Sequence, residues 1–441
     1  MMDTMQNPSK NSTALCWYIE AICLGVTIGF SEVLLAIYYG SMDLDPILLA
    51  VFMTVPAAFG AIAQVALTRL KNLFTSARDL ASASIAVQIT GLLTMCSALA
   101  ANDSDHAMMF VGQCLYWIGG MTSSSPTQEI LANNIEASRH NRFFSGRAML
   151  MTILTLICNL SSARFLSAGL NGGLMSHLLA IAAAARGISL IMVMMYGGRA
   201  AVIRERDSRN APQEAIVPIF KLSVAMLLFR CAVNLSSPFY SAYMLRDIRL
   251  DYSVYSLLTA IPLITKSICL TNWARLLDDN RKFEGLAIAT FAIGMVPVLW
   301  AVGASPAWLG TLQVISGLSW AGFDLISILL VQHMYPRSIT QKLGLFLAFS
   351  SIGSVLGGLL GGVILKWLGS YHALFAISGV LRLATGFGLL WYLRRHHLFR
   401  FQNLRLRSGL ATLVTVRPSL EAAAKILPLP AKKYPRGQKV A

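Results

Sequence analysis

The chain has 441 residues, of which 56% are hydrophobic and only 13% charged, with a mean hydropathy of +0.61. Soluble domains carry roughly 25% charged residues, and a soluble chain this poor in charge would expose large apolar patches. The composition excludes a soluble enzyme, a disordered chain and a nucleic-acid-binding domain, and it fits a multi-spanning membrane protein.

An apolar run of about 20 residues crosses a bilayer as a helix. Twelve such runs are predicted in chain order, at about 15–38, 46–67, 80–101, 107–128, 146–167 and 174–196, then 216–245, 252–272, 284–303, 307–332, 344–366 and 372–393. They are too long and too evenly apolar for the alternating strands of a membrane barrel. The first follows a segment whose only base is Lys10, and it contains Glu20 and Glu32. It reads as a retained helix, not a signal peptide. The seven cysteines fall in or at the ends of apolar runs with no CxxC pair, and read as buried small hydrophobes.

The net charge is +16, and its placement sets the orientation. The N-terminus and even-numbered loops hold 17 Lys and Arg and the tail after the last span holds 11, whereas the odd-numbered loops hold Arg246, Arg249 and Lys366. Positive residues stay cytoplasmic, so both termini are expected inside, in agreement with an even number of spans. The halves also repeat. At a shift of 206 residues Ser31 meets Ser237, Leu44-Asp45 meets Leu250-Asp251, Pro56 meets Pro262 and Arg69-Leu70 meets Arg275-Leu276. At a shift of 196, Arg186 meets Arg382. The predicted fold is an all-α integral membrane protein with twelve transmembrane helices in two pseudo-symmetric six-helix bundles. The expected order is a cytoplasmic N-terminus (1–14), an N-terminal bundle (15–197), a polar linker (198–215), a C-terminal bundle (216–393) and a basic cytoplasmic tail (394–441). Parallel halves with a site between them suit a rocking transporter.

Between spans 8 and 9 the chain reads Ala274-Arg275-Leu276-Leu277-Asp278-Asp279-Asn280-Arg281-Lys282. This resembles the cytoplasmic loop motif G-x-x-x-D-R-x-G-R-K of the major facilitator superfamily, with Ala274 in place of the first Gly. The corresponding stretch from Arg69 to Arg78 lacks the motif's Asp. Arg142 to Arg147, Ser237-Pro238-Phe239 with Tyr243-Met244-Leu245, and Trp273 with Arg275 and Asp278 resemble a bacterial, uncharacterised subgroup of that superfamily. The resemblance implies a cavity lined mainly by spans 1, 4, 7 and 10, and gating contacts at Asp278, Arg275, Arg147 and Arg69, with Asp278 facing the start of span 5 near Arg147. It also places spans 6 and 12 at the periphery.

Charged side chains inside spans are costly and mark function or a structural pair. Arg230, with Asn234 one turn on, is predicted with Trp320 and Lys266 to bind substrate. Asp324 and Glu32 are the proton-coupling candidates; Asp324 has a rival role as fixed partner of Arg230 or Lys266. Glu20, about one turn inside its predicted span, reads as interfacial, as does Arg164; Arg186 and Arg382 read as structural. Gln64, Gln88, Asn159 and Gln313 are expected to hydrogen-bond substrate or neighbouring helices. The run Ser123-Ser124-Ser125-Pro126 would loosen span 4. Gly353, Gly357 and Gly361, with Gly358 and Gly362, let span 11 approach a neighbour closely.

No phosphate loop, nucleophile elbow or metal-ligand cluster occurs, so no cofactor or metal is expected and the chain does not read as an enzyme. The reading is a multi-pass secondary active transporter in the bacterial cytoplasmic (inner) membrane. It would move a small solute by alternating access with proton coupling, as symporter or antiporter, and the substrate leans to an organic anion or zwitterion. The alternatives are a drug or metabolite efflux pump of the same fold, or a transport-inactive membrane sensor or assembly protein. Expected partners are the solute, membrane lipid (the basic tail suits an anionic leaflet) and protons, with no nucleic acid, in a monomer. Import and export share this architecture.

Overall fold

The computed structural model describes residues 8–70, 74, 76–100, 106–135, 140–167, 172–197, 219–278, 282–335 and 339–395. The expected linker at 198–215 and nearly all of the basic tail lie outside the described residues.

The helices are α1 (Pro8–Ser41), α2 (Pro46–Leu70), α3 (Ala77–Ala100), α4 (His106–Asn134), α5 (His140–Ser167) and α6 (Gly172–Tyr196). They continue with α7 (Ile219–Asp247), α8 (Tyr252–Asp278), α9 (Lys282–Trp300), α10 (Pro306–Met334), α11 (Ile339–Leu368) and α12 (Tyr371–Arg395). Local chemistry sets several starts. Asp45 Oδ1 accepts from the Ile47 amide at 2.9 Å, just ahead of Pro46 at the first helical position. Asp251 does the same for Ser253 at 2.7 Å, and Ser305 accepts from the Trp308 amide at 3.3 Å. Within α7 the α-helix stops at Asn234, and a 3-10 turn follows at Ser237–Phe239, where Pro238 has no amide hydrogen to give. A π-type turn at Tyr243–Asp247 closes the span.

Eight of the described helical segments are long and apolar enough to cross a membrane, in α1, α2, α3, α6, α7, α10, α11 and α12. Two shorter apolar stretches lie in α5 (Gly146–Ser162) and α9 (Glu284–Trp300). In α4 and α8 polar side chains dilute the apolar run, and Ser123 and Thr127 of α4 line the cavity below. The first helix starts seven residues earlier than the predicted 15, at Pro8, so part of the segment read as the cytoplasmic N-terminus (1–14) is helical.

The first six helices pack chiefly on one another, α1 on α5 and α6, and α3 on α4 and α6; the last six do likewise, α7 on α11 and α12, α9 on α10 and α12. The two sets meet along α2–α11 and α5–α8, and where α1 touches the end of α7. Both sets tie their first helix to their last at matching places: the Thr27 hydroxyl donates to the Ala182 carbonyl at 3.2 Å, and the Ser378 hydroxyl to the Ala232 carbonyl at 2.7 Å.

The core is arranged unevenly along the helices. At the face carrying the 42–45 loop one continuous apolar cluster draws on both sets, joining Leu34, Tyr39, Phe52 and Met175 to Phe239, Tyr243, Trp300 and Phe375. At the opposite face each set keeps its own cluster, around Trp17, Ile130 and Phe143 in one and around Trp273, Phe323 and Met334 in the other. α11 lies against α7 through Gly353, Gly357 and Gly361, as the small-residue spacing predicts. A Cβ on these would come within 2.3, 2.1 and 2.0 Å of the carbonyls of Leu227, Cys231 and Leu235.

Candidate functional site

A cavity of about 380 Å³ opens among α1 to α6. Glu20, Leu24, Ile28 and Glu32, four residues apart along α1, form one wall. Tyr116, Gly120, Ser123 and Thr127 supply the facing stripe of α4, and Gln64, Gln88, Arg147 and Arg186 enter from α2, α3, α5 and α6. The floor is a charged cluster. Arg147 Nη2 donates to Glu20 Oε2 at 2.5 Å, and Arg186 Nη1 lies 3.5 Å from Glu20 Oε1. Arg186 also donates to Gln88 Oε1 at 2.7 Å and to the Ser123 hydroxyl at 3.0 Å. All three charged residues are buried, and two cations share one carboxylate. Nε of Arg147 is buried with no acceptor among the described residues. Higher in the cavity the Tyr116 hydroxyl donates to Glu32 Oε1 at 3.1 Å. Among the described residues no cation lies within salt-bridge distance of Glu32.

A second cluster sits among α7, α8 and α10. Asp324 accepts from Arg230 Nη2 at 3.2 Å through one oxygen and from Lys266 Nζ at 2.7 Å through the other. The Arg230 guanidinium stands 4.9 Å from the centre of the Trp320 ring, a cation–π distance. Asn234 donates to the Arg230 carbonyl and to the Ser354 hydroxyl, each at 3.0 Å. Here too two cations share one carboxylate, and Nε of Arg230 has no acceptor among the described residues.

The structure therefore brings Arg230, Asn234, Lys266, Trp320 and Asp324 together, with Asp324 as counter-ion to both Arg230 and Lys266. Glu32 faces a different cavity, as does Arg147. The side chains of Arg69, Arg275 and Asp278 lie outside the described residues; Arg147, expected near Asp278, is held by Glu20. Two expectations change. Glu20 is 1% exposed and pairs internally; it is not interfacial. Arg186 lines the cavity, whereas a peripheral, structural place was expected. The α4 stripe went unnoticed in the sequence, although small and polar residues at 116, 120, 123 and 127 follow helical spacing and were its signal. Gln64 and Gln88 line the cavity as hydrogen-bonding groups, and Arg164 is exposed at the end of α5. Asn159 is fully buried in α5 with neither side-chain polar atom paired among the described residues.

At the shared-core face two ion pairs bridge the sets. Asp43 pairs with Arg246, and Asp45 with Lys366 at 2.6 Å. The Lys366 ammonium and the Ile47 amide hold the Asp45 carboxyl below the usual carboxylate range. The Asp45 carboxyl has its lower pKa while paired with Lys366, so the pair favours this contact at pH above the ordinary carboxylate value. That contribution is lost as pH falls through the lowered one. Acid on that side, or Asp45→Asn at neutral pH, is expected to shift the protein slightly towards opening there. Spin-label distances between the 42–45 loop and the end of α11 report it; distances insensitive to both changes would exclude the pair from the closure.

Residues 222–425 match the family model of the Major Facilitator Superfamily. No curated protein matches the sequence. Among solved structures, the nucleoside transporter NupG superposes with a TM-score of 0.65 at 14% identity, over 88% of this chain and 100% of that one. A POT family transporter in complex with 5-aminolevulinic acid gives 0.67 at 11% identity, over 88% and 97%. The human organic anion transporter MFSD10 (TETRAN) gives 0.59 at 12% identity, over 87% and 100%. At these identities the likeness is one of fold.

Proposed function

We propose that this chain is a Major Facilitator Superfamily protein, a multi-pass membrane transporter that carries an organic anion or zwitterion by alternating access, coupled to protons through Glu32. The observation that carries this reading is the charge balance. Each polar cluster holds two cations against one carboxylate, and each contains an arginine N–H unused among the described residues. A carboxylate on the substrate completes either set with charge-assisted hydrogen bonds.

Glu32 supplies the coupling. Its partner is the neutral Tyr116 hydroxyl, so it can gain or lose a proton without first breaking an ion pair. Asp324 would have to leave two cations. A proton on Glu32 adds one positive unit to the cavity, so proton and anion each bind better when the other is present. The shared core at one face and the separate cores at the other are what a rocking pair of bundles presents in one of its two states. Twelve spans, two six-helix bundles (15–197 and 216–393), both termini in the cytoplasm and a gating role for the Asp278 and Arg275 segment belong to the same proposal, in the inner membrane of a bacterium.

The test is flux in reconstituted vesicles. Glu32→Gln keeps the hydrogen-bonding shape and removes the titration. It is expected to abolish accumulation driven by a pH gradient while leaving counterflow of the same anion or zwitterion within about threefold, the size of one neutral hydrogen-bond change. Gradient-driven accumulation that survives in Glu32→Gln would sink the coupling role; absence of any anion or zwitterion counterflow in the wild type would sink the substrate class.

A further inference from the structure

A second cavity, of about 170 Å³, lies among α7, α9, α10 and α12, away from both charged clusters apart from the shared Trp320. Its wall includes Arg382, 3% exposed. The guanidinium donates to the Ser378 hydroxyl (3.1 Å), the Ile293 carbonyl (3.3 Å), the Val233 carbonyl (2.7 Å) and the Ser236 hydroxyl (2.7 Å). Every one of these partners is neutral, and among the described residues no carboxylate lies within salt-bridge distance. A buried charge without a counter-charge is costly even when fully hydrogen-bonded.

The internal repeat sharpens the contrast. Arg186 is the counterpart of Arg382, and it has Glu20. At the 206-residue shift the place of Glu20 is taken by Met226, a buried apolar side chain. The second set of helices therefore keeps the cation and lacks the anion, and has empty volume beside the cation. Gln313, Ser316 and Tyr240 add polar groups to the cavity, while Trp300 and Trp320 add apolar wall.

We propose that this cavity binds a small monocarboxylate, whose charge offsets Arg382, whose oxygens take donors from Gln313 and Ser316, and whose short aliphatic or single-ring tail lies against Trp300 and Trp320. One guanidinium and neutral donors suit a single negative charge. The site is distinct from the cluster of Arg230, Lys266 and Asp324, and it stands whether or not that cluster binds the transported solute.

The experiment titrates the full-length protein in detergent with benzoate, against sodium chloride at matched ionic strength. It reads intrinsic tryptophan fluorescence and the thermal unfolding midpoint. Benzoate is expected to change both saturably. Arg382→Gln is expected to lose the response. Because Arg382→Gln removes four hydrogen bonds and can fail to fold, the double variant Gln313→Leu/Ser316→Ala, which leaves those four bonds in place, carries the test independently. It is expected to weaken benzoate by about tenfold, the effect of two lost hydrogen bonds. No saturable response in the wild type, or an undiminished response in the double variant, would overturn the assignment.

Discussion

Replacing Glu20 with alanine is expected to destabilise the folded protein by about 3–5 kcal/mol, the usual cost of removing one partner from a buried ion cluster. Glu20, Arg147 and Arg186 are 1%, 6% and 2% exposed, so water cannot replace the missing carboxylate. Arg147, whose Nη2 bond to Glu20 at 2.5 Å is accompanied by an Nε with no acceptor among the described residues, loses most. Arg186 keeps Gln88 and Ser123 and loses less. Adding Arg147→Leu to Glu20→Ala should therefore recover a large part of the loss, because two uncompensated cations become one that retains neutral partners. Unfolding midpoints and monodisperse yield of the single and double variants in detergent read the difference. A Glu20→Ala protein within about 0.5 kcal/mol of wild type, the spread expected for a surface change, would mean that the carboxylate is not neutralising the two arginines.

The prediction also locates where sequence reading reached its limit. Apolar length placed the helices to within a few residues in most cases, because desolvation of the backbone dictates it. Glu20 shows the limit. The predicted start at 15 agrees with the apolar span Ala14–Ser41, so position along the helix leaves Glu20 near its end; what buries it is Arg147 and Arg186 reaching it from α5 and α6, which position along α1 does not encode. Arg186 was misplaced in the same way. Its charge was visible, but which face of α6 it occupies depends on Gln88 and Ser123 from two other helices, and no local pattern encodes that. The pairing of Asp324 with both Arg230 and Lys266 was open in the sequence for the same reason: three charges on three spans allow several pairings until packing selects one. By contrast, the glycine repeat of α11 was legible, since spacing alone puts residues 353, 357 and 361 on one face.

That repeat yields the second large effect, because α11 carries glycines on two faces with different neighbours. Gly357→Leu is expected to prevent accumulation of folded protein. Its Cβ would stand 2.1 Å from the Cys231 carbonyl oxygen and 2.8 Å from the carbonyl carbon, both backbone atoms of α7 in the same set of helices. Neither can move without separating α7 from α11, and overpacking of this kind costs about 1–3 kcal/mol or more. Gly362→Leu meets backbone too, with Ile47 Cα and the Pro46 carbonyl oxygen each 2.9 Å away, but these belong to α2 in the other set. The clash lies beside the Asp45–Lys366 pair, at the face where the two sets share one core. If that contact closes and opens during transport, the protein can relieve the clash by opening there, and each set keeps its own packing. Gly362→Leu is therefore expected to fold with near-normal yield, to show a longer distance between labels near residues 42 and 369, and to transport slowly. The two variants differ in the depth of the clash, 2.1 against 2.9 Å, and in whether the neighbour across the glycine is fixed to α11 or moves relative to it. Equal loss of folded protein from both would mean that α2 and α11 form a static contact, and the rocking movement would have to take place elsewhere.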